Sequence, residues 1–307
     1  MSSLNLNDEI FGHAQDLMVP WEFPVDSEVT LRGWRSAPTG KPVIHFMHGN
    51  GFSGLTYWPL LSRLIEKYDL FLHDVLGHGD SDSGSVNWGW NRNAELANEV
   101  WASFDSEYQK APLIGAGHSM GGVNTLLWAG RHPEVFSSLV LLDPILFSST
   151  ILFSFRMSEV LRLKLSNPLA AKTAVRRNEW TNEQEAVEYF TDRGMFKGWQ
   201  PDAIKAYVQY ALAEDQMGTL RLKCPPLREA ENFNMLPRKL WASIRRIKVP
   251  THVLYGTDTY SFVIGSAKKA CRVNRHFKAE AHPGGHCFMQ EHPASTYDWI
   301  LKVLAAF

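Results

Sequence analysis

Leu113-Ile114-Gly115-Ala116-Gly117-His118-Ser119-Met120-Gly121-Gly122-Val123 is the stretch on which the fold turns. Leu113 to Gly117 is short, apolar and without alternation, as a strand buried on both faces would be. Met120 to Arg131 carries apolar residues at helical spacing. Between them, Gly117-His118-Ser119-Met120-Gly121 makes a sharp strand-to-helix turn that projects the serine hydroxyl above the sheet. Flanking glycines relieve the crowding of such a turn, and the helix N-terminus directs its amides toward developing negative charge. An ordinary serine in a glycine-rich turn requires neither flank. Ser119 is therefore read as a nucleophile.

Outward from this turn, short apolar runs alternate with longer amphipathic segments, the signature of a mostly parallel sheet covered by helices. Strands are expected at Val29 to Ser36, Val43 to Met47, Leu70 to Asp74 and Leu139 to Leu142, with helices up to Lys67 and over Asn91 to Gln109. The rhythm breaks from Pro144 to about Lys239, where only helical stretches are read, at Ser158 to Leu165, Asn182 to Phe190 and Pro201 to Glu214. It resumes with strands at His252 to Tyr255 and Phe277 to Glu280, and helices near Val263 to Cys271 and Pro293 to Ala306. Neither flank completes a sheet alone. The expected organisation is thus a core of residues 1–143 and 240–307 with a helical cap inserted at 144–239.

A serine hydroxyl needs a base. Among 12 histidines, His286 follows Gly284-Gly285 between the last strand and the last helix, where a glycine turn swings an imidazole over the sheet edge. His282 is its nearest competitor; His276 lies on the strand and His118 is too close to the turn to swing back. The acid that orients the base is a choice between Asp258, just past His252 to Tyr255, and Asp143, just past Leu139 to Leu142. Asp143 precedes Pro144, and Asp-Pro is a common turn device. Asp143 is therefore read as a turn former at the cap hinge, and Asp258 as the favoured acid. His48-Gly49-Asn50-Gly51 follows the strand Val43 to Met47. There the backbone N–H of Asn50 forms half of an oxyanion hole, with the N–H of Met120 as the other half.

Together these motifs resemble the α/β-hydrolase superfamily, in the subgroup with a serine nucleophile and a helical cap domain. The matching residues are His48-Gly49-Asn50-Gly51, Asp74-Val75-Leu76-Gly77-His78-Gly79-Asp80-Ser81, Gly117-His118-Ser119-Met120-Gly121, Gly256-Thr257-Asp258 and Gly285-His286. The resemblance implies a mostly parallel eight-stranded sheet flanked by helices, and a structural part for the Asp74 to Ser81 turn. Dehalogenases and epoxide hydrolases of this superfamily attack with an aspartate at the turn; Ser119 stands there instead.

Composition narrows the partners. A formal net charge of −1 without long runs of one sign gives no footprint for nucleic acid or an anionic membrane. Three dispersed cysteines, Cys224, Cys271 and Cys287, read as reduced thiols of a cytoplasmic protein, with Cys287 a buried structural residue. Met1 to Gln15 lacks the pattern of a signal peptide, and the most apolar stretch, Ile145 to Phe155, is too short to span a bilayer. His45 and His48 fall on opposite faces of a strand and His45 and His73 read as satisfied histidines, so no metal is expected, nor any cofactor. Ile145, Leu146, Phe147, Phe153, Phe155, Met157, Trp180, Phe196 and Trp199 supply apolar surface in the cap, for packing or an acyl pocket. Arg176 and Arg177 could meet a carboxylate, although surface positions are the default for arginine. The leading expectation is a hydrolase of small or medium, largely apolar carboxylic esters. Alternatives are a carbon–carbon bond hydrolase, a lactonase, a thioesterase, or a non-catalytic small-molecule receptor on the same fold.

Overall fold

The computed structural model of the chain describes residues 14–161 and 167–305. Its strands are β1 (Met18–Pro24), β2 (Thr30–Ser36), β3 (Val43–Met47), β4 (Asp69–Asp74), β5 (Leu113–His118), β6 (Ser138–Leu142), β7 (Glu179–Trp180), β8 (Leu212–Glu214), β9 (Leu220–Leu222), β10 (Thr251–Gly256) and β11 (Phe277–His282). Eight form one sheet in the order β1-β2-β4-β3-β5-β6-β10-β11. The β1–β2 and β2–β4 pairs are antiparallel and the others parallel. This is an α/β-hydrolase fold, as the motifs implied.

The unalternating apolar runs have their physical explanation in the burial of every residue of β3, β4, β5 and β6. Within β3, Ile44 and Phe46 join one core and Val43 and Met47 the other, following the two-residue period of a strand. The second core is closed by the helices Gly89–Phe104, Met120–Arg131, Leu240–Arg246 and Ser261–Val273. The first is closed by the C-terminal helix Pro293–Leu304 and by aromatic residues of the segment between β6 and β10, among them Trp180, Phe190 and Tyr207.

That intervening segment contains the helices Ser149–Val160, Pro168–Ala174, Glu183–Phe190, Pro201–Ala211 and Pro226–Phe233. It also holds β7, β8 and β9, which form a small antiparallel sheet in the order β7-β9-β8. No strand was expected there. Runs of two or three residues are too short to display a period. β1 was missed for another reason. Pro20 and Pro24 argue against a strand, yet both are tolerated because β1 is an edge pairing only with β2. The helix read over Ser158 to Leu165 coincides at its start with the end of the helix Ser149–Val160, while residues 162–165 lie outside the described residues, as does most of Met1 to Gln15. Among the described residues, no helix is long and apolar enough to cross a membrane.

Register brings the chemistry together. His118 of β5 pairs with Leu142 of β6, and Leu142 pairs with Leu254 of β10. Ser119 and Asp143 each follow directly on these paired positions. Ser119 N–H donates to Leu142 O (3.1 Å) and Asp143 N–H to Leu254 O (2.7 Å), so both residues extend the ladder by one step.

Candidate active site

Ser119 occupies a backbone conformation of φ 54° and ψ −118°. For a residue with a Cβ such geometry costs of order 1–3 kcal/mol, which the surrounding structure must offset. The neighbouring glycines allow it. A Cβ on Gly121 would stand 2.1 Å from Met47 O, and one on Gly117 would stand 2.6 Å from the backbone of Gly121. The turn is thus packed backbone on backbone. Ile145 N–H donates to Ser119 O (3.3 Å), tying the turn to the chain just beyond β6.

The serine Oγ lies 2.9 Å from His286 Nε2, and His286 Nδ1 lies 2.6 Å from Asp143 Oδ2. An ionised carboxylate only accepts, so Nδ1 carries the imidazole proton and Nε2 is left to accept from the Ser119 hydroxyl. Asp143 is fully buried, and each oxygen is held further. Gly256 N–H donates to Oδ1 (2.8 Å), and the Thr259 hydroxyl makes a short bond to Oδ2.

The carboxylate that reaches His286 is therefore Asp143, which corrects the expectation of Asp258. Asp258 is exposed; its carboxylate accepts from the Thr257 hydroxyl (3.2 Å) and its N–H donates to Gly284 O (3.0 Å). The reason is position in the sheet. β6 adjoins β5, whereas β10 lies one strand further out, so a carboxylate just past β6 is nearer the serine. The turn-device reading of Asp-Pro was half correct. Asp143 has a positive φ of 41°, which aspartate tolerates better than most residues, and this turns its side chain under His286. A buried strand ending in an acid beside the nucleophile strand was the available signal.

His48-Gly49-Asn50-Gly51 is fixed by a dense polar web. His48 Nδ1–H donates to Gly49 O (2.7 Å) while its Nε2 accepts from Val75 N–H (3.1 Å). Asn50 Nδ2 donates to Glu229 O (3.0 Å), and its Oδ1 accepts from Asn232 Nδ2 (2.9 Å). His78, from the Asp74 to Ser81 turn, lies 3.1 Å from the same oxygen. Asn50 and Met120 line the same cavity as Ser119 and His286.

His118 and Tyr57 form a link that sequence reasoning missed. Gly49 N–H donates to the Tyr57 hydroxyl (3.1 Å), which donates to His118 Nδ1 (2.6 Å), and His118 Nε2–H donates to His286 O (3.0 Å). One chain of three bonds therefore joins the Asn50 loop to the His286 loop. Burial, with His286 nearby, holds His118 well below the usual imidazole pKa, so it stays neutral and fit for this donor–acceptor pattern. Its place inside the turn was visible in the sequence, but it was weighed there only as a base.

Above these residues lies a cavity of about 680 Å³. Phe52, Ile145, Phe147, Phe190, Phe196 and Phe262 give it apolar walls, with Arg176 and Glu229 set among them. Of the apolar residues considered in the inserted segment, Ile145, Phe147 and Phe196 line the cavity. Leu146, Trp180 and Trp199 are buried in packing, while Phe153 and Met157 are exposed. Arg176 donates to the Tyr207 hydroxyl (3.2 Å) and pairs with Glu229 (3.2 Å), so it is a cavity residue and not a surface one.

The remaining candidates have other surroundings. His45 is enclosed by Phe71, stacked at 5.3 Å, and Trp128, edge-on at 4.9 Å. Neither of its ring nitrogens has a hydrogen-bond partner among the described residues, so it is not a satisfied histidine. Among the same residues no group of three or more His, Cys, Asp or Glu side chains is placed to hold a metal ion. Cys287 is buried, and burial together with Asp143 pushes its thiol far above the usual range, leaving it without nucleophilic character at neutral pH.

Residues 46–299 match the Alpha/beta hydrolase family. The chain belongs to that family. Human monoglyceride lipase is 31% identical to this alpha/beta hydrolase over 144 residues, 44% of this chain and 46% of the lipase. A type I acyl-CoA thioesterase of Penicillium roqueforti (strain FM164) is 26% identical over 175 residues, 53% of this chain and 38% of the thioesterase. The chain thus spans less than half the length of these curated relatives. Among solved structures, E-2-(acetamidomethylene)succinate hydrolase superposes with a TM-score of 0.74 at 18% identity, covering 94% of this chain and 99% of its own. An esterase of Mycobacterium tuberculosis superposes at 0.67 with 18% identity, covering 99% of each chain. At such identities the superpositions speak for the hydrolase fold alone.

Proposed function

We propose that this alpha/beta hydrolase is a serine acyl hydrolase acting on small or medium, largely apolar carboxylic esters. The observation that carries the reading is the continuous chain Ser119 Oγ, His286 Nε2, His286 Nδ1, Asp143 Oδ2 opening into an apolar cavity. His286, oriented by Asp143, takes the Ser119 proton as Oγ attacks the substrate carbonyl. The tetrahedral oxyanion is met by the backbone N–H groups of Asn50 and Met120, the second at the positive end of the helix Met120–Arg131. His286 then gives its proton to the departing alcohol. Water, deprotonated by the same imidazole, releases the acid and restores Ser119. In this reading residues 144–239 act as a cap that supplies the cavity's outer wall. The free thiols of Cys224, Cys271 and Cys287 fit a cytoplasmic enzyme.

A p-nitrophenyl ester series from acetate to laurate tests the proposal. Turnover is expected to peak at intermediate chain length and to fall by about 10^4-fold or more in Ser119→Ala. Ester turnover that survives this substitution would sink the assignment. A thioester is the second reading, favoured by the acyl-CoA thioesterase among the relatives. A fluorophosphonate probe separates both from a non-catalytic receptor, which would bind ligand without labelling Ser119.

A further inference from the structure

The chain as a whole is close to neutral, with a formal net charge of −1, yet among the described residues its cavity is lined by Lys172, Arg176, Arg177 and Arg193 against the one carboxylate of Glu229. The four cations are not equivalent. Arg176 is matched by Glu229 and Tyr207. Arg177 is occupied by Glu185 and by Glu179 O. Arg193 lies 4.1 Å from the centroid of the Tyr189 ring, which holds the guanidinium in place without neutralising it. Neither Arg193 nor Lys172 has a carboxylate within ion-pair distance among the described residues. Both are exposed, whereas Ser119 and Asn50 are buried, so the open charge stands at the mouth of the cavity and the chemistry at its base.

Isolated surface cations are ordinary, but these two come from different elements, the helix Pro168–Ala174 and the turn before Gly194, and they converge on one opening. A cleft lined by one sign of charge with apolar walls concentrates the field at its mouth. We propose that the cavity selects acyl substrates bearing an anionic group remote from the scissile carbonyl, the apolar part filling the cavity and the anion meeting Lys172 and Arg193. The anion is a carboxylate at the far end of the acyl chain or a phosphate on the leaving group. The two share one recognition chemistry. The inference rests on the acyl-hydrolase reading for the orientation of the substrate, but not on turnover.

The test is equilibrium binding, by calorimetry, to Ser119→Ala protein, which removes hydrolysis from the measurement. Three ligands of similar chain length are compared: methyl decanoate, monomethyl sebacate and decanoyl-CoA. At least one anionic ligand is expected to bind about tenfold tighter than the neutral ester. That ratio collapses toward one in Ser119→Ala carrying Lys172→Gln and Arg193→Gln, and also in about 0.5 M salt. Preference for the half-ester places the anion on the acyl side, and preference for the thioester places it on the leaving group. Equal affinities, a ratio that survives the double substitution, or no binding of any ligand overturns the inference. The p-nitrophenyl series reports independently on the acyl-hydrolase reading, so the two fail separately.

Discussion

Asp143→Asn and Asp258→Asn put the two candidate acids in direct competition. In Asp143→Asn the amide presents a donor to His286 or to Gly256, both of which need an acceptor there, and the imidazole loses the tautomer it needs. kcat is expected to fall by about 10^3–10^4-fold. Asp258→Asn, at an exposed site whose side chain is bonded only to the adjacent Thr257, should keep kcat within about threefold. Steady-state ester kinetics on the two proteins decide the matter, and the reverse order would return Asp258 to the site. The meeting of Ser119 with His286 was legible because local geometry selects both: a sharp turn and a glycine pair leave a mark in adjacent residues. The acid was not, because its identity depends on which strands are neighbours, and strand order is written nowhere in local sequence.

At the scale of elements, the Asn50 loop owes its shape to pieces outside it: the nearby Tyr57 and, far away in the chain, the Asp74 to Ser81 turn and the helix Pro226–Phe233. Tyr57→Phe removes one hydroxyl that serves two partners, leaving Gly49 N–H and His118 Nδ1 unpaired in the interior. We expect kcat to drop by about tenfold with KM little changed, because the loop loses its link to His286. A Tyr57→Phe enzyme with wild-type kcat would show that the two loops are set independently. The core strands were legible because burial on both faces writes itself as uninterrupted apolar runs. β1, with its two prolines, and the minimal strands β7 to β9 were not, since pairing with a partner makes them strands and intrinsic preference does not.

Over the whole molecule, buried histidines dominate the response to acid. Burial lowers His45 and His78 to about 3 and His48 to about 4, and holds His73 and His118 well below 6.5. The unfolded chain binds these protons from pH 6.5 downward while the folded chain refuses them, so stability is lost as pH falls below 6.5. Asp74 works in the opposite sense. Burial raises it to about 7, so it favours folding most below pH 3.8 and loses that contribution as pH rises through 7. Burial also lowers His252 and His282 and raises Glu229, so among the described residues seven imidazoles against two carboxyls leave a net loss toward acid. In urea unfolding followed between pH 4 and 6, His45→Leu should flatten the slope by up to about one proton. It should also raise stability at pH 7 by roughly 1 kcal/mol, since two unpaired nitrogens are removed from an aromatic enclosure. An unaltered slope would mean that His45 does not contribute. The stem of the inserted segment has a consequence for recombining this protein with its relatives. Asp143 is bonded to His286, Ile145 to the Ser119 carbonyl and the Phe147 carbonyl to Trp241, while Leu146 is fully buried in the core. A chimera joined between residues 143 and 144 keeps Asp143 but exchanges the anchors at Ile145, Leu146 and Phe147 together with the rest of the segment. A junction after Phe147 keeps all four anchors with the large sheet and exchanges only what lies beyond them.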